Sequence, residues 1–192
     1  ITNHPHMCNL LGIVSEAPNF GTLYHIPEGK ELISLVGSGN LSLHQKLQIL
    51  SQICQAISYC HEREIYISLL TNQTIMVNEE SMHSELIHLC SLHTIAQRLD
   101  GSWDKHRWSA PEVWLRSQNS KSCDMFSFGL VMWFLVTEKE PYDGKFSQAK
   151  ANKVAGGWRH PIPGFVPEEI ADIIQACWKM KSQERITAPE VE

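Results

Sequence analysis

The chain has 192 residues, the size of one compact domain or of one domain missing a piece. With 43% hydrophobic and 19% charged residues it can bury an ordinary core, which excludes a disordered or low-complexity protein. Its net charge of -5, with no basic tail or stripe, argues against nucleic acid as a partner. The six cysteines (Cys8, Cys54, Cys60, Cys90, Cys123, Cys177) include no Cys-x-x-Cys pair and read as free thiols in a reducing compartment. No signal peptide opens the chain. The longest apolar stretch, Met125 to Val136, has 12 residues, against about 20 for a membrane helix. Ile1 in place of Met, and a last helix "TAPEVE" that reads as unfinished, suggest a piece of a longer protein.

In chain order, "CNLLGIVS" (8–15) and "FGTLYHI" (20–26) predict two short strands around a Pro-Asn turn. "PEGKELISLV" predicts a turn running into a short helix that "GSGN" (37–40) breaks. Ser42 and Gln45 form a capping box for a strong helix ending near Glu62. Its apolar stripe is expected to comprise Leu43, Leu47, Leu50, Cys54, Ile57 and Cys60. "EIYISLL" and "TIMVNEE" predict extended pieces around a loop, and "SELIHLCSLHTI" another extended stretch. "RLDGSWDKHRWSAPE" is a polar segment closing on Pro111. Ten of the 12 residues from Met125 to Val136 are apolar, so that helix is hydrophobic on every side and belongs at the centre of the domain. Amphipathic helices are expected at about 147–155 and 167–179. Short strands followed by helices indicate an α+β domain dominated by its helical part.

The order and wording of these segments resemble the large lobe of a protein kinase. "HPHMCNLLGIV" is similar to the fourth strand of that fold, "PEGKEL" to the hinge exit, and the 42–62 helix to the one before the catalytic loop. "WSAPEVW" resembles the Ala-Pro-Glu segment, and "KSCDMFSFGLVMWFLVTEKEPYDG" the central helix with its following loop. "ADIIQACWKMKSQERITAPEVE" resembles the closing helices with their terminal Arg. The Cys-Trp pair and "SFGLVMW" lean towards tyrosine kinases and the tyrosine-kinase-like group. The resemblance implies an α+β kinase-like fold, mainly the helical C-lobe (28–192) with the last N-lobe strands and hinge (1–27). The Gly-rich loop, the strand lysine and its glutamate partner would all precede Ile1.

Kinase chemistry needs a base Asp beside the substrate hydroxyl, and an Asn and a second Asp that hold magnesium on the phosphates. Aligned on "CHEREIYISLLTNQTIMV" (60–77), the resemblance puts Ile67-Ser68-Leu69 on the His-Arg-Asp triplet. Leu69 then takes the base position, Thr71 the lysine position of serine/threonine kinases and Thr74 the metal Asn. Leu89-Cys90-Ser91 takes the place of Asp-Phe-Gly, with Leu89 on the metal Asp. One argument is free of register: no aspartate occurs before Asp100, and Glu62, Glu64, Glu79, Glu80 and Glu85 are the only nearby acids. The structural frame is retained by the same resemblance. Glu112 and Arg185 match the pair that forms a buried salt bridge in kinases, and Asp124 the central-helix Asp that accepts catalytic-loop N–H groups.

The resemblance therefore implies a pseudokinase, a scaffold or allosteric regulator in signalling with protein partners, another kinase among them. It leaves ATP open as a ligand and argues against magnesium. Two rivals stand beside it: an active ATP-dependent protein kinase that uses displaced acids, and an interaction module that binds no nucleotide. The expected location is cytoplasmic, alone or as the cytoplasmic part of a receptor. Other side chains read blandly. His83, His88, Cys90 and His93 fit no zinc spacing, and His4, His6 and Cys8 read as a strand edge. The sequons at Asn40 and Asn72 are chance matches in an intracellular domain. Thr94, Ser102 and Ser109 read as an unmodified polar loop, and Arg107-Trp108 as either a protein-binding face or packing.

Overall fold

A computed structural model describes residues 3–16, 19–39, 41–87, 106–116 and 119–192. Strands β1 (Leu10–Glu16) and β2 (Asn19–Tyr24) form an antiparallel pair, in register from Gly12 opposite Leu23 to Glu16 opposite Asn19, with a register shift between Gly12 and Leu10, which lies opposite Tyr24. A second sheet has the order β3 (Lys30–Glu31), β4 (Ile75–Val77), β5 (Ser84–Leu86), all antiparallel. Gly29 (φ 132°) enters it where a Cβ would lie 2.2 Å from the Val77 carbonyl oxygen, so only glycine fits that approach. The helices are α1 (Leu32–Val36), α2 (Leu43–Glu62), α3 (Pro111–Arg116), α4 (Lys121–Thr137), α5 (Gln148–Ala155), α6 (Glu168–Cys177) and α7 (Ala188–Val191).

Local signals set these boundaries. The Ser42 side chain accepts the Gln45 N–H, and Gln45 Oε1 accepts the Ser42 N–H at 2.9 Å, which satisfies two helix-end donors of α2 reciprocally. The stripe expected on α2 is corrected at its start: Leu43 and Leu47 are 44% and 39% exposed. Ile49 and Ile53 are buried instead, together with Lys46, whose ammonium meets Glu138 Oε1 at 2.6 Å. Glu138 ends α4 in the left-handed region (φ 57°), a place that favours glycine. Its carboxylate thus ties the end of the central helix to the start of α2. A buried lysine cannot be told from a surface one by apolar periodicity.

Every residue of α4 from Cys123 to Val136 is buried, so this helix is the axis around which α2, α6 and the 182–184 turn pack. At Gly129 the approach to α6 is so close that a Cβ would lie 2.7 Å from Cys177 Cβ. The five described cysteines (Cys8, Cys54, Cys60, Cys123, Cys177) are buried thiols. Burial pushes the Cys54 and Cys60 thiols up to about 12, with smaller effects of Glu192 and Asp124 in the same direction, so neither ionises readily. Among the described residues no helix is long and apolar enough to cross a membrane.

Beyond α4, a ring cluster fixes the following loop. Tyr142 adopts φ 63° and donates its N–H to His160 Nε2 at 3.0 Å. The His160 ring stacks on Trp133 at 4.3 Å. Arg107 donates to the carbonyls of Pro141, Tyr142 and Gly144, and Trp108, 7% exposed, packs edge-on to Phe134. Arg107 and Trp108 therefore pack the fold, which decides against the protein-binding face. Burial pushes His160 down to about 4, against the raising effect of Asp143. A depressed histidine pKa stabilises the fold above the ordinary value of about 6.5 and loses that contribution as pH falls through the folded value. Replacing His160 with Gln, which can still accept the Tyr142 N–H, should flatten the loss of stability between pH 6.5 and about 4 in thermal melts.

Candidate functional site

The loop between α2 and β4 starts at the C-terminal end of α2, where the Arg63 and Ile65 N–H groups donate to the Cys60 carbonyl. Glu64 follows the helix with φ 56°, a left-handed position occupied here by a non-glycine residue. Its carboxylate meets Lys121 Nζ at 2.5 Å, which bridges this end of the loop to the start of α4. Ser68 is also left-handed (φ 63°), and the Leu69 N–H donates across it to the Ile67 carbonyl at 2.8 Å. Such a tight turn at a non-glycine residue costs of order 1–3 kcal/mol and persists only when its surroundings over-determine it.

Asp124 supplies that determination. It is 2% exposed in the first turn of α4. Its Oδ2 accepts the Ile67 N–H and its Oδ1 the Ser68 N–H, both at 2.9 Å. His61, 5% exposed, places Nε2 3.0 Å from Oδ2. A carboxylate taken out of water needs several strong donors, and here two N–H groups and one imidazole converge on it. The part played by His61 escaped the sequence reading. Its only signal was its place in "CHER", one turn before the loop.

The second half of the loop is closed by hydroxyls. Thr74 Oγ1 accepts the Thr71 N–H at 2.9 Å and donates towards the Leu69 and Thr71 carbonyl oxygens at 3.1 Å. Thr71 Oγ1 accepts the Gln73 N–H. Thr71 and Thr74 are both buried, and their hydroxyls are engaged within the loop backbone. Leu69 is half-buried and offers no polar side-chain atom. Asn72 is 2% exposed and donates to Glu140, so its sequon is closed to a glycan. Leu69, Thr71 and Thr74 together present no anionic oxygen. A magnesium-bound nucleotide does not fit this donor set, because that cation takes carboxylate and phosphate oxygens. Leu89, His88, Cys90, Ser91, His93, Thr94, Ser102 and Asn40 lie outside the described residues.

Four of the five nearby acids, Glu62, Glu64, Glu79 and Glu85, meet a basic side chain. Glu79 meets Lys30 at 2.9 Å across the sheet, Glu62 meets Arg63 at 3.4 Å and Glu85 meets His83 at 3.5 Å. Glu80 lies in the β4–β5 turn, with its N–H on Asn78 Oδ1. Among the described residues no group of three or more His, Cys, Asp or Glu side chains has the arrangement of a metal site.

Glu112 and Arg185 close the frame at the same, N-terminal end of α4. The Arg185 side chain is fully buried and grips both Glu112 oxygens, at 2.5 and 3.1 Å. It also donates to the Ser122 and Lys179 carbonyls. Burial alone would raise the Glu112 pKa, but the hydrogen bonds and charge of Arg185 outweigh it and hold the carboxyl below its ordinary range. The stability this group contributes is complete above the ordinary carboxylate pKa and is lost as pH falls through the lowered one. Replacing Glu112 with Ala leaves a buried guanidinium without its counter-ion and should cost about 3–5 kcal/mol in urea unfolding. Replacing Asp124 with Ala strands the Ile67 and Ser68 donors and should cost about 1–3 kcal/mol for each left unpaired.

A family profile described as "Protein tyrosine and serine/threonine kinase" matches residues 1–192. The chain is similar to a probable LIM domain-containing serine/threonine-protein kinase of Dictyostelium discoideum, with 24% identity over 202 residues, covering 99% of this chain and 30% of the relative. It is also similar to mitogen-activated protein kinase kinase kinase 10 of Xenopus laevis (27% identity; 96% of this chain, 20% of the relative). A further relative is mitogen-activated protein kinase kinase kinase 7 of Drosophila melanogaster (26% identity; 95% and 28%). The chain spans 20% to 30% of the length of these relatives. Its α+β architecture, its central buried helix and the full-length profile match carry one conclusion: the chain belongs to the protein tyrosine and serine/threonine kinase family.

Proposed function

We propose that this chain is a catalytically inactive kinase-like domain, a pseudokinase that acts as a scaffold or allosteric regulator in signalling. Residues 1–27 would contribute the last strands and hinge of the small lobe, and 28–192 the large lobe. The observation that carries the reading is the contrast within one loop. Asp124 holds the strained backbone at Ile67 and Ser68, while Leu69, Thr71 and Thr74 would occupy, by the resemblance, the places where phosphoryl transfer needs a base, a cation and a metal ligand. The absence of any aspartate before Asp100 supports it independently of register. Leu89 would complete the loss at the second metal position. The partners in this reading are proteins, another kinase among them, and the location is cytoplasmic.

The names of the relatives favour a second reading, an active kinase with displaced acids. Two of its candidate acids would have to leave existing partners: Glu79 would leave Lys30 and Glu64 would leave Lys121. Protein kinases turn over at about 1–100 s⁻¹. With magnesium, ATP and a mixed peptide substrate, the intact protein should transfer no phosphate above the protein-free background. Turnover of about 1 s⁻¹ or more that a Glu79→Gln/Glu80→Gln variant abolishes would overturn the reading in favour of the second.

A further inference from the structure

The N-terminal segment docks on the helical body through a seam that the kinase reading leaves without a role. Met7, 1% exposed, reaches the core, where the Cys60 thiol lies 3.4 Å from its sulfur. Beside it the Leu86 N–H donates to the His6 carbonyl and the Cys8 N–H donates to the Leu86 carbonyl, both at 2.9 Å, which forms a parallel bridge to β5. This seam leads directly into β1. Three imidazoles line its outer side. The His4 and His6 rings are 5.6 Å apart and the His6 and His83 rings 4.9 Å apart. Tyr59 of α2 lies against His4 at 4.9 Å, with the Arg63 guanidinium over the Tyr59 ring at 3.6 Å.

We propose that His4 and His6, packed beside the His83 ring, form a proton-sensitive latch on this seam, closed while the His4 and His6 imidazoles are neutral and released on mild acidification, so that the β1–β2 pair loosens from the helical body. The His4 hydrogen bond specifies the neutral state, while the Ser84 carbonyl by itself favours a protonated His6 and is outweighed by burial. His4 Nδ1 accepts the His6 N–H at 3.2 Å, and a proton on that nitrogen would turn the acceptor into a donor facing a donor. His6 Nδ1 lies 2.9 Å from the Ser84 carbonyl, which fixes its proton there and leaves Nε2 as the basic site beside His83. A first proton on His4 or His6 therefore meets a neighbouring imidazole, and on the α2 side it meets Arg63.

The charged groups around the latch act in both directions. Glu192 faces His4, and Glu85 faces His6 and meets His83 at 3.5 Å; both favour the cation. Arg63 and the neighbouring histidines oppose it. Burial is the largest influence on His4 and on His6, and both are held below the ordinary histidine value. With lowered folded values, docking is strongest above the ordinary pKa of about 6.5 and weakens as pH falls through the lowered ones.

The test compares the intact protein with a His4→Asn/His6→Asn variant. Asparagine keeps the local bonds, since its carbonyl can accept the N–H two residues on and its amide can donate to Ser84. The readout is amide hydrogen exchange at Cys8 and Leu86, corrected for intrinsic rate, at about pH 7 and about pH 5.5 on either side of the histidine range. The wild-type protein should lose protection several-fold on acidification, and the variant should lose far less. The background from His160 is common to both proteins and cancels. An equal loss in both, or no loss in the wild type, overturns the proposal. Should the variant fail to fold, NMR titration of the wild-type imidazoles decides instead: His4 and His6 must titrate below about 6.5, with the Leu86 amide shift following the same midpoint. Midpoints at or above that value overturn the latch.

Discussion

One buried carboxylate organises this domain. Asp124 leaves water at the start of a helix that is itself buried from Cys123 to Val136, and it can do so only because two loop N–H groups and an imidazole converge on it. The dependence runs both ways. Ser68 could not keep a left-handed backbone without the Asp124 acceptor, and Asp124 would be a buried unpaired charge without the loop. The chain therefore cannot relax the loop into an ordinary connection without giving up the position of its central helix. This coupling gives a physical reason for keeping the loop's shape whether or not its side chains do chemistry.

The same logic extends along α4. At one end Arg185 grips Glu112 and the Ser122 carbonyl; at the other, Glu138 ends the helix in a left-handed turn and holds the buried Lys46. Asp124, Glu138 and the Ser122 carbonyl held by Arg185 each join α4 to an element distant in sequence. Apolar packing supplies most of the driving force here, but it is non-directional. These charged contacts fix the relative placement of the helices, which is the kind of specificity ascribed to buried polar groups.

Much of the fold was legible because its signals are local. The Ser42–Gln45 box, the all-apolar run from Met125 to Val136 and the Pro and Gly breaks each act within a few residues, and the observed elements follow them. What escaped was set by partners far along the chain. Periodicity placed Leu43 and Leu47 on the buried stripe of α2, but the helix is rotated so that Ile49 and Ile53 face inward and Lys46 reaches Glu138, 92 residues away. At the candidate site, the identities of Leu69, Thr71 and Thr74 could be read directly, because what matters there is which functional groups a side chain carries. The left-handed turn at Ser68, the convergence of His61 on Asp124 and the closing of the loop by the Thr74 hydroxyl depend on backbone geometry that no residue pattern encodes.

The central claim is that the loop is retained as structure and holds no metal. Thermal unfolding of the intact protein with ATP, with and without magnesium, tests it most directly. A ligand at a hundred times its dissociation constant adds about 2.7 kcal/mol, and at about 2–4 °C per kcal/mol that raises the melting temperature by roughly 5 °C or more. The account predicts that magnesium makes no difference: either no rise at all, or the same rise with ATP alone. A rise that requires magnesium would contradict it, because carboxylate oxygens placed at the phosphates make nucleotide binding depend on that cation.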